Sequence, residues 1–340
     1  MDGVTKLLGV DWGSLIEADH SWIKTCLTIH PENRERKIVA RFYSVPFSGL
    51  QQEINDLAER IADSIEEYVF DSNQLKEMHD KGVKPFRKAA EFFGDTNPIV
   101  DGKYGELMLY ALSESVLNTP MITHKITSLT NVNDQVKGGD GIFFGRYNDS
   151  LSILIGESKI YQNFSSALES AFDSINRFNS SYSGSALSHE MFIARSNIAK
   201  IYNAELLDLM YEAFTPGSEI YKECLKNHPV LIVFEDEYLS EIESLASNKK
   251  EAESLYNDWL EGKRNEICSI ISDKYNKYPE LRGYFLDFFL LPMKSVSNFK
   301  KALYKSIHGI DYKEPPKTKE KKTPPKAVKK RAVSKKDSQP

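Results

Sequence analysis

The most regular pattern lies in the middle of the chain. Tyr104 to Leu117 carries apolar side chains around most of a helical circumference, which predicts a helix buried on nearly every side. Three apolar, strand-like runs follow, Met121 to Thr127, Gly141 to Arg146 and Leu151 to Glu157. Leu168, Ala171, Phe172, Ile175 and Phe178 then recur at helical spacing within Ser165 to Phe178. After a helical stretch through Phe214, Val230 to Phe234 is a wholly apolar run that predicts a buried strand. Helices between Glu235 and Asn276, a strand near Tyr284 to Leu291 and a last helix near Val296 to Ile307 complete the series. The order α-β-β-β-α-(helices)-β predicts an α/β (α+β) fold over residues 96–310, a mixed central sheet flanked by helices. Residues 1–95 predict an additional N-terminal α/β region. Trp22 to Ile29 and Lys37 to Tyr43 have strand content, and Leu50, Ile54, Leu57, Ile61 and Ile65 mark a helix over Leu50 to Tyr68. That region holds no chemical motif and is a candidate partner-binding part.

Length and charge change the picture in one respect. The 340 residues allow about two domains and a core that needs no staple. The net charge of −5 divides unevenly: residues 313–340 hold 11 Lys or Arg against three acidic side chains, a net of +8, which leaves −13 on the first 312 residues. The tail has paired prolines and no aromatic residue after Tyr312, a composition that predicts disorder. Two readings of it stand open: a strand that holds nucleic acid by phosphate contacts, or a solubilising end. Cys26, Cys224 and Cys268 are far apart and odd in number, against a disulfide framework or a structural zinc site. The N-terminal apolar stretch is broken early by Asp11, unlike a signal peptide, and the run Tyr284 to Met293 is about half a bilayer span. The expected location is the cytoplasm.

Several chemistries are excluded by missing parts. No GxxxxGK[ST] occurs, so VLIVFEDE at Val230 to Glu237 reads as a core strand ending in a solvated acidic turn rather than as a Walker B element. His189-Glu190 lacks the second histidine of HExxH, Ile193 standing in its place, and no GxSxG is present.

What remains is GGDGIFFGRYNDSLSILIGESK, Gly138 to Lys159. Asn148-Asp149 suits a two-residue hairpin turn, because both residue types tolerate left-handed backbone. That turn sets Asp140 opposite Glu157, and strand alternation adds Lys159 to the same face. Two carboxylates about 5 Å apart need a compensating cation. Their oxygens, with the backbone carbonyl of Ser158, match Mg²⁺ chemistry. Lys159 would stand beside the ion, able to orient a water or stabilise charge on a phosphate oxygen. Gly138, Gly139 and Gly141 would leave room for a phosphate backbone. Glu106, in the first turn of the preceding helix, is a candidate for a further ligand; the plainer reading is a glutamate favoured by the helix dipole.

Asp140 followed by Glu157-Ser158-Lys159, in this order of elements, resembles the PD-(D/E)xK nuclease superfamily, with Gly139 where the superfamily's name has proline. The larger stretch, GELMLYALSES at Gly105 to Ser115, GGDGIFF at Gly138 to Phe144 and LIGESKIYQ at Leu154 to Gln162, resembles the HamA family, nuclease subunits of the bacterial Hachiman anti-phage system, over roughly residues 96–300. The resemblance implies a Mg²⁺-dependent DNase with Glu106, Asp140 and Glu157 around the metal (Mn²⁺ being an alternative ion) and Lys159 as catalytic lysine. It also implies a HamB helicase partner that supplies ATP hydrolysis and restrains the nuclease until DNA is engaged. Ser174, on the following helix, either lies near the site or is a small residue packing helix on sheet. A catalytically silent DNA-binding or scaffolding subunit, and a restriction or repair endonuclease outside the defence system, are the alternatives.

Overall fold

The computed structural model of the chain describes residues 2–16, 18–123, 139–179, 191 and 204–314. Helices α1 (Gly3–Leu8) and α2 (Ile23–Cys26) precede strands β1 (Thr28–Ile29), β2 (Asn33–Glu35), β3 (Ile38–Ser44), β4 (Phe47–Ser48) and β5 (Gln51–Gln52). Helices α3 (Ile54–Asp63), α4 (Ile65–Val69), α5 (Ser72–Asp80), α6 (Pro85–Phe93) and α7 (Lys103–Leu117) follow. Next come β6 (Met121–Thr123), β7 (Ile142–Tyr147), β8 (Ser150–Ile155), β9 (Glu157–Ile160) and α8 (Phe164–Asn179). The later strands are β10 (Leu225–Glu235) and β11 (Phe285–Met293), among helices Ala204–Ala213, Glu219–Glu223, Tyr238–Leu245, Lys249–Tyr275 and Val296–His308.

The central sheet is mixed, with lateral order β1-β3-β11-β10-β8-β7-β6, and with β2 on β3 and β9 on β10. β3, β11, β10 and β8 run parallel; β7 and β6 complete one side antiparallel. The sheet is covered on both faces, which explains the unbroken apolar runs. Along β10, Leu231 and Val233 enter the cluster of α3, α4, α7 and Val296–His308, while Val230, Ile232 and Phe234 enter the cluster of α8 and Lys249–Tyr275. β11 divides in the same way. Residues on both sides of position 95 share this sheet: β3 lies parallel to β11, Ile38 opposite Leu286 through Phe42 opposite Leu290.

Two buried polar groups knit the central strands. Asp287 on β11 is fully buried, ion-paired with Arg41 on β3 and accepting from Asn227 Nδ2 on β10 at 2.7 Å. His228 on β10 is 1% exposed; its Nδ1 meets the Ile155 carbonyl at 3.0 Å and its Nε2 meets Asn179 Nδ2 of α8 at 2.9 Å. These partners require the neutral ring with Nδ1 protonated, and burial pushes its pKa down to about 4. His228 thereby ties β10 and α8 to the strand residue just before Gly156.

Some expectations are corrected. Trp22 to Ile29 is a helical turn before the short β1, because Trp22, Ile23, Cys26 and Leu27 are buried at helical spacing and Thr25 Oγ donates to the Trp22 carbonyl at 2.9 Å. The Leu50 to Tyr68 helix is two helices parted at Ser64, preceded by β5. The acidic turn after β10 is only partly solvated. Glu237 is exposed, but Asp236 is 6% exposed, accepts from the Tyr238 amide at 3.1 Å and from Tyr256 Oη at 3.3 Å, and is pushed up to about 6, chiefly by burial. The expected strand beyond Thr123, the end of the Ser165 to Phe178 helical face at Phe178, Gly138, and the tail from 315 on lie outside the described residues or side chains. Cys26, Cys224 and Cys268 are free thiols. Among the described residues no helix is long and apolar enough to cross a membrane.

Candidate active site

The hairpin that carries the candidate residues has the expected turn. Asn148 (φ 47°) and Asp149 (φ 61°) are both left-handed, as a two-residue turn of the hairpin-favoured hand requires. The ladder runs from Tyr147 opposite Ser150 to Ile142 opposite Ile155. Beyond Ile142 it departs from the simple register. Gly156 N donates to the Gly141 carbonyl at 2.9 Å and Asp140 N donates to the Gly156 carbonyl at 2.8 Å, so two residues of one strand meet one of the other. This bulge re-aims a side chain. The facing pair Asp140 and Glu157 is therefore not a rung of the ladder; among the described residues β9 pairs with β10, Glu157 opposite Val230.

The Asp140 carboxylate fills the position that β7 leaves. Its Oδ2 accepts from the Ser158 amide at 2.8 Å and from Ser158 Oγ at 2.9 Å. The Ser158 N–H thus points away from β10, and in an extended strand its carbonyl leaves by the same edge. Side chains alternate along β9. Ser158 and Ile160 meet α7, where a Cβ on Gly105 would come within 2.9 Å of Ser158 Oγ and 3.2 Å of Ile160 Cγ1. Glu157 and Lys159 project toward α8, where Ser174 hydrogen-bonds Glu157 and itself accepts from Arg177 Nη2 at 2.9 Å. Asp140 stands at the strand edge between these two sides.

The electrostatics follow from this crowding. Glu157 is 4% exposed and ion-paired with Lys159. Burial first, and the Asp140 charge second, push its pKa up to about 7 against the pull of Lys159 and Ser174. Burial works against the Lys159 ammonium, yet Glu157 and Asp140 outweigh it and hold that pKa above the usual lysine value. Glu106, in the first turn of α7, accepts from Tyr68 Oη of α4 at 3.3 Å. Tyr68 is 2% exposed, and burial, then the charges of Glu106 and Asp140, raise its pKa well above that of a free phenol.

The donor set suits a hard divalent cation: carboxylate oxygens of Asp140, Glu157 and Glu106, with the Ser158 carbonyl at the same edge. Buried Glu157 and half-buried Asp140, with the single ammonium of Lys159 paired to Glu157, are short of positive charge, which is the condition such an ion relieves. Each carboxylate is meanwhile engaged by protein donors, and among the described residues no group of three His, Cys, Asp or Glu is already gathered as a ligand cluster. Two glycines have a different role from the one expected. A Cβ on Gly139 would lie 2.5 Å from Ile155 Cγ2, and one on Gly141 3.0 Å from Phe143 Cε2, so both are small for packing and open no space for phosphate.

Sequence reasoning missed Tyr68, which lies 38 residues before Glu106 and carries no local signal of its contact. It also assigned Ser158 through its carbonyl alone, whereas both its amide and its hydroxyl hold Asp140.

No curated protein matches the chain. A protein-family model described as HamA matches residues 20–307, a span that contains the sheet from β1 to β11 and every side chain of the site. The chain belongs to the HamA family, the family of Hachiman defence systems.

Proposed function

We propose that this protein is the nuclease of a Hachiman anti-phage system, a Mg²⁺- or Mn²⁺-dependent deoxyribonuclease that hydrolyses phosphodiester bonds. The observation that carries the reading is the convergence of Asp140, Glu157 and Lys159 at the bulge where β7 and β9 part, with Ser158 fixing Asp140. Bound by Asp140, Glu157, Glu106 and the Ser158 carbonyl, the divalent ion would supply Lewis acidity toward a phosphodiester. Ser158 holds the Asp140 carboxylate at the strand edge through two donors to one oxygen. Ser174 and Lys159 hold Glu157, so neither acid is free to swing out of the site. The Lys159 ammonium is kept charged, half-buried and adjacent to both acids, where it can orient an attacking water and stabilise negative charge on a phosphate oxygen.

The acidic body bears on partners. A net of −13 on the first 312 residues opposes strong autonomous capture of DNA by the folded part. DNA delivered by a HamB-like helicase, which also supplies ATP hydrolysis and restraint, fits both this charge and the missing P-loop. The test is plasmid cleavage with and without the product of a neighbouring helicase gene, in Mg²⁺ and in EDTA. Mg²⁺-dependent nicking, abolished by EDTA, is expected. Cleavage that persists in both Glu157→Ala and Lys159→Ala sinks the assigned site.

A further inference from the structure

The N-terminal region has no chemical motif, yet it meets α7 along one stripe that ends in the site. Glu106, Tyr110 and Glu114 are spaced four residues apart and share one face of α7. Each is met by a side chain from before residue 70. Tyr68 Oη donates to Glu106 Oε2 at 3.3 Å, the Tyr68 ring packs on Tyr110 with centroids 5.5 Å apart, and His20 packs edge-on to Tyr110 at 5.3 Å. His20 Nε2 bonds Glu114 Oε2 at 2.9 Å, and Glu114 Oε1 accepts the amide of Met121, the first residue of β6, at 2.8 Å. The far end of the stripe is thus anchored to the sheet. A glutamate has three rotatable bonds and is poorly fixed by itself; a buried phenol clamped by ring contacts supplies a donor from a fixed direction.

We propose that Tyr68 is a positioning residue of the divalent-metal site, holding the Glu106 carboxylate in place through its hydroxyl so that the N-terminal region completes the site. The proposal rests on the metal-dependent reading given above and adds to it a residue from outside the nuclease motif. Tyr68 is not a ligand. It acts on the metal only through Glu106, which separates it from a core tyrosine whose hydroxyl has merely found an acceptor.

The experiment measures Mn²⁺ binding to the full chain by loss of the free-ion electron paramagnetic resonance signal, without DNA or turnover. The wild type, Asp140→Asn, Glu106→Gln, Tyr68→Phe and the Glu106→Gln/Tyr68→Phe double variant are compared. Tyr68→Phe keeps the ring and removes one oxygen, and is expected to weaken Mn²⁺ binding about tenfold, the lower end of what loss of an orienting partner causes. The double variant should bind no more weakly than Glu106→Gln alone, because both changes break one coupling. Binding by Tyr68→Phe equal to wild type overturns the proposal, as does a double variant in which the two effects multiply. Failure of the underlying reading looks different: the wild type itself binds no Mn²⁺, or Asp140→Asn binds it unchanged. Should Tyr68→Phe not fold, the wild type decides. Mn²⁺ should then produce a tyrosine ultraviolet difference spectrum that Glu106→Gln abolishes, and its absence counts against the role of Tyr68.

Discussion

One added methyl group at Gly105 measures how closely α7 must approach the site strand. In a helix interior, Gly→Ala gains about 1 kcal/mol from backbone entropy. At Gly105 the new Cβ would meet Ser158 Oγ at 2.9 Å, and Ser158 Cβ and Ile160 Cγ1 at 3.2 Å. Those atoms belong to a strand fixed by β10, so they do not yield like the end of a flexible side chain. Ser158 Oγ can turn aside only by giving up Asp140. Overpacking of this kind costs about 1–3 kcal/mol, and a hydrogen bond to a charged group is worth about 1.5–3 kcal/mol. The helix gain does not offset both, so Gly105→Ala should be destabilised by about 1.5–5 kcal/mol. Gly262, within Lys249–Tyr275, has nothing within 4 Å of its added Cβ, and Gly262→Ala should gain about 1 kcal/mol. Urea denaturation followed by circular dichroism, in EDTA, measures both. Ser158→Ala placed in the Gly105→Ala background removes the closest clash and should restore part of the loss. If Gly105→Ala is stabilised like Gly262→Ala and equals the wild type in the cleavage assay proposed above, the close contact between α7 and β9 is not what positions Ser158.

Two further outcomes concern the sheet. Arg41→Met leaves the fully buried Asp287 carboxylate with its neutral donors Asn227 and Tyr147 but without its guanidinium, which should cost about 3–5 kcal/mol. Adding Asp287→Leu should recover most of that loss, and a double variant as unstable as Arg41→Met would show that the charge was not the cause. His228 is neutral in the folded protein, with a pKa of about 4 against 6.5 for the free side chain. The unfolded chain binds the extra proton first, so this contribution is complete above pH 6.5 and is lost as pH falls toward 4. Between pH 7 and pH 5 the loss is on the order of 2 kcal/mol. His228→Gln should flatten that part of the urea-midpoint profile, and an unchanged slope would remove His228 as its source.

The parts of the site that were legible in the sequence are those set by near neighbours. Asn148-Asp149 fixes a turn by its own backbone preferences, and the ladder from Tyr147 to Ile142 follows from it. α7 could be read because its buried residues repeat along one helix. The bulge could not, since the apolar run Leu151 to Ile155 gives way to Gly156-Glu157-Ser158-Lys159, and nothing in those residues marks that the pairing with β7 ends at Gly156. The side from which Glu157 is held depends on Ser174, and the anchoring of Glu106 depends on Tyr68. Tertiary packing alone makes the latter contact. Asp236 is buried for the same reason: its partner Tyr256 arrives from a later helix, whereas hydropathy predicts a wet turn. Strand content misled at Trp22 to Ile29, where β-branched and aromatic residues are buried on one side of a helical turn.

The place of β3 in the sheet has a consequence for how the protein is made. Arg41 and Asp287, which seal β3 to β11, are 246 residues apart. β3 is among the first strands to leave the ribosome, and its parallel neighbour is the last. The local hairpin of β7 and β8 can close as soon as it emerges, but β3 has no neighbour across that edge until β11 is synthesised. Long-range parallel pairing is slow, because the chain entropy of closing the loop is lost before the contact forms. Closing β3 onto β11 is therefore expected to be a late step of folding, joining residues as far as 246 positions apart. Translation truncated before Phe285 yields a chain that carries Asp140, Glu157 and Lys159 but leaves β3 without β11, so a nascent fragment of that length lacks the closed sheet on which those residues sit.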